Sequence, residues 1–254
     1  MDTNTKIALV TGGSRGLGRN MALALAKQGT DLIVTYRANR AEAEAVVAEA
    51  RSLGRKAAAL PLEAGDAQSF DAFAAALRQA LDRDFGRQRL DYLVNNAGFG
   101  VHKPFAETTE EDFDALVNVR LKGVYFLTQK LLPLIADGGR ILNVSSGLAR
   151  FSLPGYSAYA AMKGGVEVLT RYLAKELGPR RIAVNTIAPG AIETDFGGGV
   201  VRDNAALNAQ IASQTPLGRV GLPDDIGGAV AALLSPHAGW INAQRIEVSG
   251  GINC

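Results

Sequence analysis

Ser146, Tyr159 and Lys163 have the side-chain types and the spacing that a proton-transfer site needs. Tyr159 and Lys163 are four residues apart, so a helix that begins near Ser157 would place them on one face. A free tyrosine has a pKa of about 10, and a neighbouring ammonium group favours the phenolate and lowers that pKa. A serine hydroxyl nearby could polarise a substrate oxygen. We predict that Tyr159 is the general acid/base. The alternative is a helix that carries tyrosine and lysine by coincidence, after a strand-end turn at Ser145 and Ser146.

A glycine-rich turn near the start of the chain predicts a phosphate-binding site. From Thr11 to Gly18 the segment reads Thr-Gly-Gly-Ser-Arg-Gly-Leu-Gly, directly after an apolar run and before a helical pattern. Glycines let the backbone approach a pyrophosphate, whose charge then meets the helix N-terminus. The alternative is a plain strand-to-helix turn, but its position in the first βα unit favours a dinucleotide site. The predicted contacts are Gly12, Ser14, Arg15, Gly16, Leu17 and Gly18.

Charge near the second apolar run predicts which dinucleotide binds. Sites selective for NAD place an acidic residue at the end of that strand, where it binds the ribose 2′-hydroxyl. Here the run ends in Tyr36 and Arg37, and Arg15 lies within the glycine turn. Two guanidinium groups suit a 2′-phosphate because arginine forms bidentate, charge-assisted hydrogen bonds to phosphate. The sequence therefore predicts NADP(H), unless both arginines are only solvated.

Apolar runs that alternate with helical patterns predict an α/β fold. Unbroken apolar strands are typical of parallel sheets that are covered on both faces. We expect a single doubly wound Rossmann-type domain over residues 1–254, with a parallel sheet of about seven strands. The predicted strands are Ile7–Thr11, Asp31–Tyr36, Ala57–Leu62, Leu90–Asn95, Arg140–Ser145, Ile182–Ile187 and Arg245–Val248. Helices are predicted at Asn20–Gln28, Ala41–Leu53 and Phe70–Phe85.

Residues 195–216 have no strand character and begin with Asp-Phe-Gly-Gly-Gly. Consecutive glycines permit a hinge. Because the segment follows a late strand, and ligands bind at the carboxyl ends of strands in such sheets, we predict a substrate lid. The alternative is a long surface excursion.

With these motifs the chain resembles the short-chain dehydrogenase/reductase family over nearly its whole length, and 3-oxoacyl-(acyl-carrier-protein) reductases in particular. Thr11–Gly18 matches the family's TGxxxGxG pattern, and Asn95-Asn96-Ala97-Gly98 its NNAG motif. Ser146 precedes the family's YxxxK motif at Tyr159 and Lys163, and the family spacing selects Ser146 over Ser145.

The resemblance also implies further cofactor contacts. Lys163 would hydrogen-bond the nicotinamide ribose, and the segment from Pro189 to Thr194 would close over the nicotinamide. The positions that the resemblance adds are Glu63, Asn96, Ala97, Gly98, Tyr159, Lys163, Pro189, Gly190, Ile192 and Thr194.

One position departs from the family pattern. Arg120 stands where the family often has a catalytic asparagine, and Asn118 is two residues away, on another side of the predicted helix. In the family this position also holds a water molecule through its backbone carbonyl. We therefore expect a Ser/Tyr/Lys triad with a modified proton relay.

Composition narrows the classes of partner. Hydrophobic residues make up 47% of the chain, charged residues 20%, and the formal net charge is +2. This near-balance gives no reason to expect a nucleic-acid or membrane partner. Two isolated histidines, His102 and His237, predict no metal site. Cys254 is the only cysteine, and the apolar stretch at Ile7 is too short for a membrane span, so we expect a cytoplasmic protein.

Together these features predict an NADP(H)-dependent oxidoreductase that reduces a ketone or aldehyde to an alcohol, reversibly, with a small molecule as substrate. One alternative, from the resemblance, is a 3-oxoacyl-thioester reductase of fatty-acid synthesis. The other is a non-catalytic NADP(H) sensor or scaffold, because a fold does not dictate a function. The resemblance further implies a homotetramer or a homodimer.

Overall fold

Seven parallel strands form one sheet in the computed structural model, which describes residues 5–254. Their order is β3-β2-β1-β4-β5-β6-β7, so the chain reverses direction across the sheet between β1 and β4. The predicted doubly wound fold is confirmed, and residues 1–4 of the predicted domain lie outside the described residues. The strands are β1 (Ile7–Val10), β2 (Asp31–Tyr36), β3 (Ala57–Pro61), β4 (Leu90–Asn95), β5 (Ile135–Val144), β6 (Ala183–Pro189) and β7 (Arg245–Val248).

Helices cover both faces of this sheet, and their apolar sides bury the two main clusters of the core. None of the described helices is long and apolar enough to cross a membrane. The helices are α1 (Gly16–Lys27), α2 (Arg40–Ser52), α3 (Phe70–Ala80), α4 (Glu110–Val117), α5 (Gly123–Leu131), α6 (Ser157–Glu176), α7 (Val200–Asp203), α8 (Ala205–Ser213) and α9 (Pro223–Leu234).

The fifth strand begins earlier than the sequence predicted, at Ile135 rather than Arg140. Ile135 pairs with Leu90, whereas Arg140 pairs with Tyr92, so the register shifts between these two pairs. The intervening segment contains Gly138, whose φ is +76°. A strand with such an irregularity stays paired although its apolar residues do not alternate. The hydrophobic pattern therefore did not predict residues 135–139 as part of the strand.

Two helical segments contain π-turns. The predicted helix Phe70–Phe85 is α-helical only to Ala80 and ends as a π-turn over Leu81–Phe85. Between α4 and α5 a second π-turn spans Asn118–Lys122 and includes Arg120. Such turns interrupt regular helix bonding and are frequent at functional sites.

A ladder of buried polar side chains connects the centre of the sheet to α6. The Asn95 side-chain amide donates to Asn143 Oδ1 at 2.9 Å, and the Asn143 amide donates to Thr170 Oγ1 at 2.9 Å. Thr170 in turn pairs with Thr186 of β6 at 2.8 Å. Because buried polar groups are costly unless they are paired, these bonds fix α6 in register with the strands.

Replacing Asn143 with alanine should lower the free energy of unfolding by about 2–3 kcal/mol, because it removes two buried hydrogen bonds and leaves their partners short of a bond. Urea denaturation measures the change. Gln28→Ala, at an exposed residue, is the control and should stay within about 0.5 kcal/mol of the parent protein. Equal stability of the two variants would contradict the role given to the ladder.

Candidate active site

One cavity of about 850 Å³ opens at the carboxyl edge of the sheet. It lies where β1 and β4 adjoin, at the reversal of strand order, as is usual for ligand sites in open α/β sheets. The structure brings every predicted site residue to its wall. These residues are Gly12, Ser14, Arg15, Gly16, Leu17, Gly18, Tyr36, Arg37, Glu63, Asn96, Ala97, Gly98, Ser146, Tyr159, Lys163, Pro189, Gly190, Ile192 and Thr194.

The glycine turn provides a cradle for a pyrophosphate. A Cβ on Gly18 would lie 2.1 Å from the carbonyl oxygen of Gly12, so only glycine permits this close backbone approach. Arg15 occupies the N-cap of α1 and its side chain makes no capping hydrogen bond. The first backbone N–H groups of the helix are therefore available to an anion.

Side-chain hydrogen bonds hold the turn against the next strand. The Thr35 hydroxyl accepts from the Gly12 N–H at 3.0 Å, and Asn96 Nδ2 donates to the Thr11 carbonyl at 2.9 Å. The Thr11 hydroxyl accepts from the backbone N–H of Ala97 at 3.0 Å. The NNAG segment thus shapes the cradle, and a dinucleotide fits it.

A carboxylate that the sequence analysis did not assign lies at the far end of the cavity. Glu42, in the first turn of α2, lines the wall, and its Oε2 is buried without a hydrogen-bond partner. The signal in the sequence is its place three residues after the N-cap Asn39. This puts Glu42 on the first turn of the helix that follows β2, at the edge of the sheet where the cavity opens. A buried acceptor of this kind needs a donor, and a bound nucleoside could provide one. Arg37 Nε lies 3.5 Å from Glu63 and is largely exposed.

Tyr159, on the first turn of α6, lies at the opposite end of the cavity and is only 5% exposed. Burial raises its pKa above the ordinary value of a tyrosine, while the Arg120 guanidinium and the Ser146 hydroxyl act in the opposite direction. The phenol is therefore held protonated at neutral pH. Ser146 caps a short 3-10 turn and accepts from the Leu148 N–H at 3.2 Å.

Lys163 does not have the effect that its spacing from Tyr159 predicted. Its ammonium donates to the backbone carbonyl of Val144 and lies 5.5 Å from the centroid of the Tyr159 ring. Burial, with a smaller contribution from Arg120, lowers the pKa of Lys163 well below its ordinary value. The expectation that Lys163 sets a depressed tyrosine pKa is wrong for this structure, because desolvation dominates and the nearest influential cation is Arg120.

Arg120 occupies the centre of this end of the cavity. Its Cζ lies 5.3 Å from the Tyr159 centroid, and its Nε donates to the Phe99 carbonyl at 2.6 Å. Asn118, which the sequence places on another side of the helix, is not among the residues that line the cavity. Two aromatic rings adjoin Tyr159: the centroids of Phe196, which lines the cavity, and Tyr156, which does not, lie 5.8 and 6.3 Å from that of Tyr159.

Comparisons with known proteins cover nearly the whole chain. Residues 12–253 match a family described as enoyl-(acyl carrier protein) reductase. The hydroxynaphthalene reductase-like protein Arp2 of Metarhizium brunneum is 38% identical over 257 residues, which cover 97% of this chain and 94% of that protein.

Two solved structures are similar to this one. LugOII, a promiscuous reductase that catalyses keto-reduction at C1 during lugdunomycin biosynthesis, has a TM-score of 0.92 and 37% identity over 98% of both chains. The landomycin C-6 ketoreductase LanV, solved with bound NADP and rabelomycin, has a TM-score of 0.88 and 35% identity over 97% of this chain and 96% of that one.

The close approach at Gly18 makes a direct prediction. Gly18→Ala should weaken binding of NADPH by about tenfold or more, equivalent to at least about 1.4 kcal/mol, because the added methyl group displaces the Gly12 carbonyl and the turn. Titration of NADPH fluorescence measures the affinity, and thermal melting checks that the variant folds. Gly228→Ala, where an added Cβ meets nothing within 4 Å, should bind like the parent protein. Unchanged affinity in a folded Gly18→Ala variant would contradict the proposed cradle.

Proposed function

This chain belongs to the short-chain dehydrogenase/reductase family, and on that premise we propose that it is an NADP(H)-dependent ketoreductase with Tyr159 as its proton donor. The observation that carries the proposal is the placement of a protonated, buried phenol in the same cavity as the glycine cradle. Arp2, LugOII and LanV have names that specify a reductase or a ketoreductase, and LanV was solved with NADP.

The cofactor preference rests on charge at the far end of the cavity. Arg15 and Arg37 both line the wall there, and their guanidinium groups suit the additional phosphate of NADP(H). Glu42 and Glu63 reach the same end, so two carboxylates moderate this positive charge. We propose that the arginines bind the 2′-phosphate and that Glu42 accepts a hydrogen bond from the adenosine portion.

The side chains divide the chemistry of carbonyl reduction. A bound nicotinamide would supply hydride to the carbonyl carbon. Tyr159 carries its proton at neutral pH and can give it to the carbonyl oxygen as that oxygen becomes negative. The Ser146 hydroxyl can donate to the same oxygen and stabilise it. Lys163 holds α6 against β5 through the Val144 carbonyl and faces the cavity, where it would bind the ribose.

The segment 195–216 is proposed as a lid. Phe196, Gly197 and Gly198 line the cavity, and the two glycines have φ values of +64° and +76°, which other residues rarely adopt. Most of the rest of the segment forms α7 and α8. An ion pair of 2.7 Å joins Arg202 of α7 to Asp195, which precedes the glycines of the segment.

A planar aromatic ketone is the substrate class that this site suits best. Tyr156 and Phe196 flank Tyr159, and aromatic pairs in offset or edge-to-face contact are favourable. The name of Arp2, a hydroxynaphthalene reductase-like protein, refers to a hydroxylated fused aromatic ring. An acyl thioester is the second candidate, favoured by the description of the matched family.

The assembled Ser146, Tyr159 and Lys163 argue against a cofactor sensor without activity. A homotetramer or homodimer also remains a proposal; it is supported by Tyr125 and Phe126 of α5, which are apolar and exposed at 47% and 39%. We propose a cytoplasmic location. The single cysteine cannot form a disulfide within the chain, which suits a reducing compartment.

Tyr159→Phe should lower kcat for ketone reduction by roughly 10²–10⁴-fold, because it removes the proton donor, and should weaken NADPH binding by no more than about tenfold, the loss of one hydrogen bond. The decrease in NADPH absorbance with 1-tetralone, a 3-oxoacyl thioester and an aliphatic ketone measures turnover and separates the substrate classes. Tyr172→Phe, at an exposed tyrosine of the same helix, is the matched control. Full activity of Tyr159→Phe would contradict the assigned acid.

Arg37→Ala should raise the KM for NADPH by roughly tenfold, since a charge-assisted hydrogen bond contributes about 1.5–3 kcal/mol, and should leave the KM for NADH nearly unchanged. Steady-state kinetics with NADPH and with NADH measure the ratio of the two KM values. Arg83→Ala, at a surface arginine paired with Asp84, removes the same charge elsewhere. If both KM values rise equally in Arg37→Ala, the arginine does not recognise the phosphate.

A further inference from the structure

The guanidinium of Arg120 is buried in the cavity without an anionic partner. Arg120 is 5% exposed, and no carboxylate in the described part of the chain lies within ion-pair distance of it. Its one hydrogen bond runs from Nε to the neutral Phe99 carbonyl. Arginine stays charged in proteins, and a buried charge is costly unless it is paired and hydrogen-bonded.

The two terminal nitrogens of Arg120 face the cavity. The side chain lines the wall, and neither Nη forms a hydrogen bond within residues 5–254. Neither is among the fully enclosed atoms that lack a partner, so both retain access to the cavity. They can offer a planar pair of N–H donors, which is the arrangement that recognises acidic oxygens.

The surroundings hold this guanidinium in one place. It stacks on Gly98, where a Cβ would lie 2.5 Å from both Cζ and Nε, so the glycine makes room for it. Arg120 belongs to the π-turn Asn118–Lys122, and the bond to Phe99 fixes the inner part of its side chain. Binding at a fixed donor pair loses little conformational entropy.

The carboxylates nearest to this end of the cavity are already paired. Glu167, which influences Lys163, is bound by Ser145 and Arg245, and Asp195, which lines the cavity, forms an ion pair with Arg202. Within residues 5–254, Arg120 is therefore left beside the phenol without a carboxylate partner. A positive surface with low-dielectric walls concentrates anionic ligands. The ring of Phe196, which lines the cavity 5.8 Å from that of Tyr159, favours a flat ring system over a flexible acid.

We propose that Arg120 is a substrate-binding residue that recognises an enolic or phenolic oxygen on the ring beside the reacting carbonyl. This deepens the proposed ketoreductase function and rests on it. Tyr159 and Ser146 take the carbonyl oxygen, and Arg120 takes the second, acidic oxygen, which is unchanged by the reaction. The substrate class is therefore a hydroxylated aromatic or 1,3-dicarbonyl ring, in preference to an unsubstituted ketone.

Equilibrium binding tests this without turnover. Calorimetric titrations in saturating NADP⁺ would compare 4-hydroxycoumarin, an enolate near neutral pH, with coumarin, its neutral parent. We expect the parent protein to bind 4-hydroxycoumarin about tenfold or more tightly than coumarin, since hydrogen bonds to charged groups are the stronger ones. In Arg120→Gln this ratio should fall to near one, and in Arg120→Lys it should be partly retained. Arg83→Gln is the matched charge control and should keep the full ratio.

Two outcomes would overturn the proposal: a ratio near one in the parent protein, or an undiminished ratio in Arg120→Gln, including an equal loss of affinity for both compounds in that variant. An equal loss would mean that Arg120 only shapes the pocket. If Arg120→Gln fails to fold by thermal melting, the parent ratio and the Arg120→Lys ratio still decide. A ketoreductase that prefers neutral ketones would show 1-tetralone reduction with no binding preference, so failure here is distinct from failure of the proposed reaction.

Discussion

Desolvation of one phenol is the constraint around which this site is built. Tyr159 loses contact with water because α6 packs its first turn against the loops that follow β4 and β5, and that burial raises the tyrosine pKa. Arg120 and Ser146 oppose the rise without reversing it. The resulting group is an acid at neutral pH, which suits reduction of a carbonyl, where a proton must be given. The reverse reaction needs the phenolate and is favoured as pH increases.

The sheet determines which segments can meet at that phenol. Carboxyl ends of parallel strands share one edge, so the loops after β1, β4, β5 and β6 converge there although they are distant in sequence. The polar ladder through Asn95, Asn143 and Thr170 then ties α6 to the same strands. The proposed cofactor cradle and the proposed proton donor are therefore positioned by the same strands, and Phe196, Gly197 and Gly198 line the cavity between them.

Arg120 changes the electrostatic character of this frame. At its position the family often has an asparagine, whose neutral amide contributes no net charge. A guanidinium there lowers the pKa of Lys163 further, favours the phenolate of Tyr159, and leaves N–H donors exposed to the cavity. Burying this guanidinium without a carboxylate partner costs free energy. An anionic group on the ligand, as proposed above, would offset that cost.

The sequence alone determined the features that depend on neighbours along the chain. The glycine turn, the apolar strands and the four-residue interval between Tyr159 and Lys163 are local patterns, so the fold class and the glycine turn could be predicted from them. The resemblance to the family added most of the remaining residues of the cavity wall. Only the tertiary structure decided the direction of the Tyr159 pKa, the contact of Lys163 with Val144, the buried Glu42 and the placement of Arg120 over Gly98. These depend on which distant segments exclude water and bring charges together, and no spacing within a single element encodes that.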